Sequence, residues 1–433
     1  MTRLVVQNAR IVDPASGLDA TGTIEVEDGV IVAVAAGPAR VAAGGETRID
    51  ARGLVLAPGL IDMRVFTGEP GHEYRETLQS AGEAAAAGGV TSFVLMPDTT
   101  PVIDDGALVD FLIRRAEATS KVRVLPAAAI SRGLRGEEIT EFGLLKEAGA
   151  VCFADGRHSI QSSAMLRAAF AYAANFDMPV VHHLVEKSLT GDGVMNEGAF
   201  ASILGLKGIP VEAETVPLAR DLQLALLTGV RYHAAQISTA ASVELLATAK
   251  RRSAAISCGV SINNLSLNEN DVGGYRSFFK LSPPLRSEDD RQAMIEGLRS
   301  GTIDVIHSDH DPQDSEVKRQ PFAEASDGAI GLETLLAAAL RLVHAGDLDL
   351  ITVLRAMTQR PAEILGLASG RLAVGAPADF ILFDPDYPWQ VAETDFRSRS
   401  RNSCFEGARL AGKVMATYVG GKRVFEHDAA GAR

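Results

Sequence analysis

Two kinds of hydrophobic pattern divide the chain. Roughly the first fifty residues alternate apolar and polar positions, as in RLVVQNARIVD and GTIEVEDGVIVAVAA, the period of a strand with one buried face. Asp28-Gly29 marks a hairpin turn inside that region. Roughly the last sixty residues return to the same style in APADFILFDPD and GKVMATYVGGKRVFEH, with Gly420-Gly421 at a second hairpin. Between these ends, short continuous apolar runs alternate with alanine- and leucine-rich stretches of helical period.

The apolar runs are LAPGLIDMRV, TSFVLMPD, VRVLPAAAI, GAVCFAD, PVVHHL, VRYHAAQIS, AAISCGVSI and TIDVIHSD. Helices are expected between them in YRETLQSAGEAAAAG, DGALVDFLIRRAEA, SSAMLRAAFAYAAN, ASVELLATAKRR and EDDRQAMIEGLRS. A parallel strand pair needs a crossover, so eight such alternations predict an α/β fold of the (β/α)8 TIM type. A doubly wound open sheet competes, but no GxGxxG turn follows an early strand. The domains expected are 1–56 and 369–433 as the two parts of a small β-sandwich, with the barrel spanning 57–368.

Composition narrows the function classes. A formal net charge of −13 argues against nucleic acid or an anionic membrane as the main partner. There is no signal-peptide pattern at the start and no apolar run of membrane-spanning length, so a cytoplasmic location is expected. Cys152, Cys258 and Cys404 are far apart and read as buried, reduced thiols.

In a barrel of this kind the chemistry gathers at the C-terminal strand ends. Those ends carry Arg64 and Phe66, then Asp98, Asp155, His183, Gln236, Asn263 with Asn264, and Asp309. The set is polar but poor in metal ligands. His182 and His183 alternate across one strand, so only one of them faces the barrel interior. His307 and Asp309 share a face in HSDHDPQD, although a polar strand end entering a loop explains that run as well. The cations of KRR, Lys250 to Arg252, suit the end of a helix, and VGGYRSFFK fits a lid or a contact surface.

Several longer stretches carry a family likeness: APGLID, GEPG, AAAAGGVTSFVLMPDTTPVID, MNEG, TGVRYHAAQISTAASVELL, LSPPLRSEDDRQAMIEGLRSGTID, SDHDP, GLETLL and GRLAVGAPADFILFDP. Together they resemble dihydroorotase, of the cyclic-amide-hydrolysing branch of the amidohydrolase superfamily. That resemblance implies a zinc site opened by a His-x-His pair after the first strand, with an arginine two residues on to grip the substrate carboxylate. At the matching positions stand Arg64, Phe66 and Gly68. An arginine does not deprotonate to become a ligand, and phenylalanine has no lone pair.

The remaining family positions tell the same story by resemblance. Asp155 lies near the bridging acidic position, His183 matches a histidine ligand, and Asp309 matches the aspartate that binds metal and moves protons. Gln236 replaces a ligand histidine, while Asp98, Ser282 and Gln313 replace two asparagines and a histidine that contact substrate. Without metal no hydroxide forms at neutral pH, because bound zinc lowers the pKa of water from about 15.7 to ~7. Negligible turnover and no bound cofactor are expected. The resemblance extends to inactive dihydroorotase-like chains that serve as structural subunits with aspartate carbamoyltransferase, which implies that partner and an oligomer. The alternative is a cyclic-amide hydrolase with a rewired mononuclear site built from His183, Asp309 and either Asp155 or His307.

Overall fold

The computed structural model describes residues 3–37 and 46–428. Eight parallel strands line up in sequence order: β1 (Leu60–Val65), β2 (Val90–Leu95), β3 (Arg123–Ala128), β4 (Cys152–Ala154), β5 (Val180–His182), β6 (Tyr232–Ala234), β7 (Ile256–Ser261) and β8 (Val305–His307). The ring closes between its ends, where Val65 bridges His310 and the Phe66 amide donates to the His310 carbonyl at 2.8 Å. Asp62, buried inside β1, accepts the Ser308 amide at 3.0 Å and pins the same seam. Every residue of β1, β2 and β7 is buried, as a parallel sheet covered on both faces requires.

Helices fill the crossovers where the 3.6-residue period places them. Thr77 caps Leu78–Ala87, Asp105 caps Gly106–Thr119, Ser162 caps Ser163–Ala173, Thr239 caps Ala240–Lys250 and Ser287 caps Glu288–Arg299. Each cap side chain takes an amide that the first turn leaves without a partner. Lys250 does more than complement a helix dipole: its ammonium donates to the Gly301 and Thr302 carbonyls and to Asp304 at 2.8 Å.

The terminal segments build one eight-stranded sheet. Its order is Lys422–Glu426, Arg409–Val419, Phe380–Gln390, Val55–Pro58, Arg3–Asp13, Leu18–Glu27 and Val30–Ala36, with Thr47–Asp50 also paired to Arg3–Asp13. Both expected hairpins form, at Asp28-Gly29 and Gly420-Gly421. Side-chain alternation divides the sheet's labour: Leu56, Phe380 and Leu382 close its own core, while Val55, Ala57, Ile381 and Phe383 face the barrel.

The run LAPGLIDMRV, read from sequence as one strand, breaks in two at Gly59. Residues Val55–Pro58 pair with the terminal sheet and Leu60–Val65 with the barrel. A side chain at 59 would put its Cβ 2.2 Å from the Thr91 hydroxyl, so only glycine allows this hand-over. Residues 391–408 leave the sheet and cross the barrel mouth as a strap. Glu333 accepts the Arg397 and Ser398 amides at 2.9 and 3.2 Å, and Asn402 donates to the Asp311 and Gly328 carbonyls at 3.1 and 3.0 Å.

All three cysteines are buried and unpaired, so they act as small core residues. No helix among the described residues is long and apolar enough to cross a membrane.

Candidate functional site

The strand ends converge on a buried cluster with an arginine at its centre. Arg64, at the end of β1, is 3% exposed, and its Nε donates to Asp309 Oδ1 at 2.8 Å while Nη1 reaches the Gly156 carbonyl at 3.3 Å. Asp309 follows β8 and sits at φ +51°, a left-handed conformation that aspartate tolerates better than most residues. Burial raises its carboxyl above the ordinary carboxylate range, and the neighbouring Arg64 charge only partly offsets that rise.

Two guanidinium groups pack on the Phe66 ring. Arg64 stands 5.0 Å from its ring centroid and Arg157 stands 3.8 Å away. Arg157 also forks onto Asp311, with Nε 2.9 Å from Oδ2, and its own amide donates to Asp98 Oδ1 at 3.0 Å. Gln313 completes the group by donating from Nε2 to Asp311 Oδ1 at 2.8 Å. Arg64, Phe66 and Arg157 therefore occupy the barrel mouth with the chain's own side chains, held by cation–π contact and by three aspartates.

Gly68 is part of a tightly bonded loop. Its amide donates to the Glu76 carbonyl at 2.9 Å and its carbonyl accepts the His72 amide at 2.5 Å. A Cβ at 68 would stand 1.7 Å from the His72 carbonyl oxygen, so no arginine fits here without rebuilding the loop.

The other predicted positions separate. His183 faces the interior, with Nδ1 buried and without a hydrogen bond, and burial followed by the Arg64 charge pulls its pKa well below the imidazole value. His182 faces outward, where its Nδ1 lies 2.6 Å from Asp221 Oδ2 and its Nε2 accepts the Ile160 amide at 3.0 Å, which places the proton on Nδ1. Asp155 is not free for any site: Oδ1 accepts the Ile130 and Ser131 amides at 2.8 and 2.9 Å, and Oδ2 accepts the Ser131 hydroxyl at 2.5 Å. Gln236 donates weakly to the Ser282 carbonyl at 3.4 Å and leaves its buried Oε1 without a partner. Both ring nitrogens of His307 are buried and unpaired, and burial holds that ring neutral.

These residues do not fit a zinc ion. Among the described residues no group of three His, Cys, Asp or Glu is arranged to hold a metal. Asp309 is turned to a guanidinium, Asp155 is consumed by the loop after β3, and the end of β1 carries Arg64 and Phe66, neither of which can ligate a metal.

The motifs that persist have structural work. Glu69 of GEPG accepts the Leu78 amide at 2.8 Å and Arg115 Nε at 2.6 Å, so it seats a helix start. Arg286 of PPLR donates to Asn196 of MNEG at 3.0 Å and to Ser238 Oγ at 3.2 Å.

Comparison with known proteins decides the lineage. The Dihydro-orotase-like family pattern matches residues 53–242, and the Amidohydrolase family pattern matches 298–425. A dihydroorotase of Anaeromyxobacter dehalogenans (strain 2CP-1) is 42% identical over 430 residues, 99% of each chain. That of Syntrophotalea carbinolica is 40% identical over 420 residues, covering 97% of this chain and 98% of its own. The chain belongs to the dihydroorotase family. Among solved structures, the L-hydantoinase of Arthrobacter aurescens superposes with a TM-score of 0.89 at 27% identity, over 98% of this chain and 96% of its own. A D-hydantoinase at 20% identity and a TM-score of 0.83 shares the fold.

Two members of this dihydroorotase-family site escaped the sequence reading: Arg157 and Asp311. Arg157 directly follows the FADG end of β4, but its packing on Phe66 and its fork onto Asp311 join distant segments and leave no local signal.

Proposed function

We propose that this dihydroorotase-family chain has lost hydrolytic chemistry and acts in pyrimidine biosynthesis as a non-catalytic structural subunit of aspartate carbamoyltransferase. The observation that carries this reading is Arg64. Its guanidinium is buried, paired with Asp309 and stacked on Phe66, in the place where the family's chemistry needs a cation that can bind water. A guanidinium supplies charge but no open coordination position, so no hydroxide is generated there. Dihydroorotate is an anion, and the carboxylate of Asp98 together with the loss of a clamp at Gly68 works against holding it. The intact barrel, terminal sheet and surviving motif network support a role for shape. The partner rests on resemblance to the inactive chains of this family.

The test combines metal analysis, turnover and co-purification. Freshly purified protein is expected to carry well under one zinc per chain, to hydrolyse no dihydroorotate, and to raise the mass of the transcarbamoylase when mixed with it. Stoichiometric zinc removed together with amidase activity would overturn the reading, and failure to associate would remove the partner. Restoring Arg64→His and Phe66→His together is expected to give no turnover, since Gly68, Asp98, Gln236 and Gln313 stay as they are.

A second reading is a cyclic-amide hydrolase with a rewired site. Relatives at 40–42% identity bear the name dihydroorotase, and His183 and His307 keep neutral, unpaired ring nitrogens. The same zinc assay separates the two.

A further inference from the structure

Outside the plugged barrel, a cleft of about 510 Å³ opens between the strap and the loop that follows β8. Its floor is Gln313 and Asn402, and its walls include Tyr74 and Phe278. The volume lies in the range of small-molecule sites. Three exposed arginines line it: Arg319, Arg399 and Arg401. In a chain of net charge −13, none of the three has a carboxylate within ion-pair distance among the described residues.

Their donors are largely unspent. Arg399 gives only Nη1, to the Glu73 carbonyl at 3.0 Å. Arg401 gives only Nη1, to the Phe396 and Ser398 carbonyls at 2.6 and 2.7 Å. The Arg319 guanidinium makes no bond among the described residues. Lys318 adds a fourth positive charge beneath, its ammonium fixed on the Ser277 and Ser326 carbonyls at 2.9 and 2.7 Å. Two carboxylates share the cleft, and that of Asp314 already accepts the Glu316 and Val317 amides. The local balance is thus positive, with forked donors whose geometry suits a phosphate group rather than a single carboxylate oxygen.

We propose that this cleft is a nucleotide site: Arg319, Arg399 and Arg401 bind the phosphates, and the base lies against Tyr74. The concave shape and the 56% exposed Tyr74 ring favour a small phosphorylated ligand with a flat group over an acidic protein segment. The proposal does not depend on whether the barrel site is active. It has a mechanical consequence as well. Asn402 and Gln313 on the cleft floor both bond to Asp311, which holds Arg157 on Phe66, so an occupied cleft stiffens the plug.

The test uses full-length protein with ATP, UTP and inorganic phosphate as probes, read by calorimetry and thermal melting. A nucleoside triphosphate is expected to bind and to raise the melting temperature by about 1–3 °C near saturation. Arg319→Glu touches no folded contact and is expected to weaken that binding at least about tenfold, or ~1.4 kcal/mol. Tyr74→Ala is expected to bring nucleotide affinity down toward that of phosphate. No binding of either triphosphate at millimolar concentration would overturn the proposal. So would wild-type affinity in Arg319→Glu, equal affinity for phosphate and nucleotide, or binding of a polyglutamate peptide where the nucleotides fail.

Discussion

Two buried polar clusters sit in one barrel and are built on opposite principles. Around Glu214, every strong group is spent: its carboxylate accepts the Ser238 amide at 2.9 Å and the Ser242 and Thr239 hydroxyls at 2.6 and 3.3 Å, while Arg286 ties Ser238, Asn196 and the Ile209 carbonyl together. Around Arg64, the charges are paired but leftovers remain, since Asp98 Oδ2, His183 Nδ1 and Gln236 Oε1 are buried without partners. A fully satisfied network is costly to open, while a partly satisfied one keeps polar atoms that can take another partner. Arg286, Asn196 and Ser238 of the first cluster lie in the PPLR, MNEG and AAQIS motifs, whereas the second is built around Arg64 and Phe66, which belong to no such motif.

Removing one arginine from each cluster gives the largest expected effect and the clearest contrast. Arg286→Met leaves the Glu214 carboxylate and the Asn196 side chain facing a buried apolar group, and should cost about 3–5 kcal/mol in urea unfolding. Arg64→Met also strips a buried partner, but Asp309 already has a burial-raised pKa and can take up a proton instead. Its cost should be about 1–3 kcal/mol. Equal losses in the two variants would erase the distinction between the clusters.

Metal sharpens the same contrast. With Arg64 in place, a tenfold excess of zinc or of a chelator should leave the melting temperature within about 1 °C, because nothing in the cluster binds the folded state preferentially. A rise of several degrees with zinc would show that imidazoles such as His183 and His307 are recruited, and would favour the rewired hydrolase.

The barrel was legible because buried parallel strands read as continuous apolar runs and their helices keep a strict period, as in AGEAAAAGG before β2 and EDDRQAMIEGLRS before β8. The terminal sheet was legible because its two hairpin glycine turns fall between alternating runs. The split at Gly59 was not, since nothing in LAPGLIDMRV reveals that Thr91 lies 2.2 Å from where a side chain would begin. At the site, sequence alone placed Arg64, Phe66 and Gly68 at and just beyond the end of the first barrel strand. How those side chains are held could not be read, because the Arg157–Phe66 stack and the Arg157–Asp311 fork join residues far apart in sequence. The turn of Asp155 toward Ser131 is of the same kind: a strand-end aspartate looks identical on paper whether it faces a metal or a neighbouring loop.

Acid should expose a cost common to the barrel's interior histidines. His233 is 1% exposed, and burial pulls its pKa from 6.5 to about 4, with the Asp304 carboxylate only partly opposing that shift. The unfolded chain then binds a proton more readily than the native one between these values. Stability is unaffected above about pH 6.5 and falls as pH drops toward 4, by up to about 3 kcal/mol from this residue. Asp62 acts in the opposite sense, its folded pKa being raised to about 6 by burial, so the wild-type curve alone does not isolate the histidine. His233→Asn should flatten the pH dependence between 6.5 and 4 relative to wild type, and parallel curves for the two proteins would remove His233 as a cause.

The smallest effect of a substitution is expected where the plug meets the cleft. Gln313→Ala removes the Nε2 bond to Asp311 Oδ1, yet Asp311 keeps the Arg157 fork, and the backbone amide of Gln313 keeps Asn402. Arg157 is about a third exposed along its side chain, so water can replace what the amide gave. The loss should be about 0.5–1.5 kcal/mol. In a double-mutant cycle with Arg157→Lys, which keeps the charge but gives up the fork and much of the stacking on Phe66, the coupling should stay below about 1 kcal/mol. A coupling of several kcal/mol would place the plug with the Glu214 network as a stability element. Its side chains would then be selected for holding the barrel closed, and the unpaired atoms beneath them would be incidental to that task rather than residues of lost chemistry.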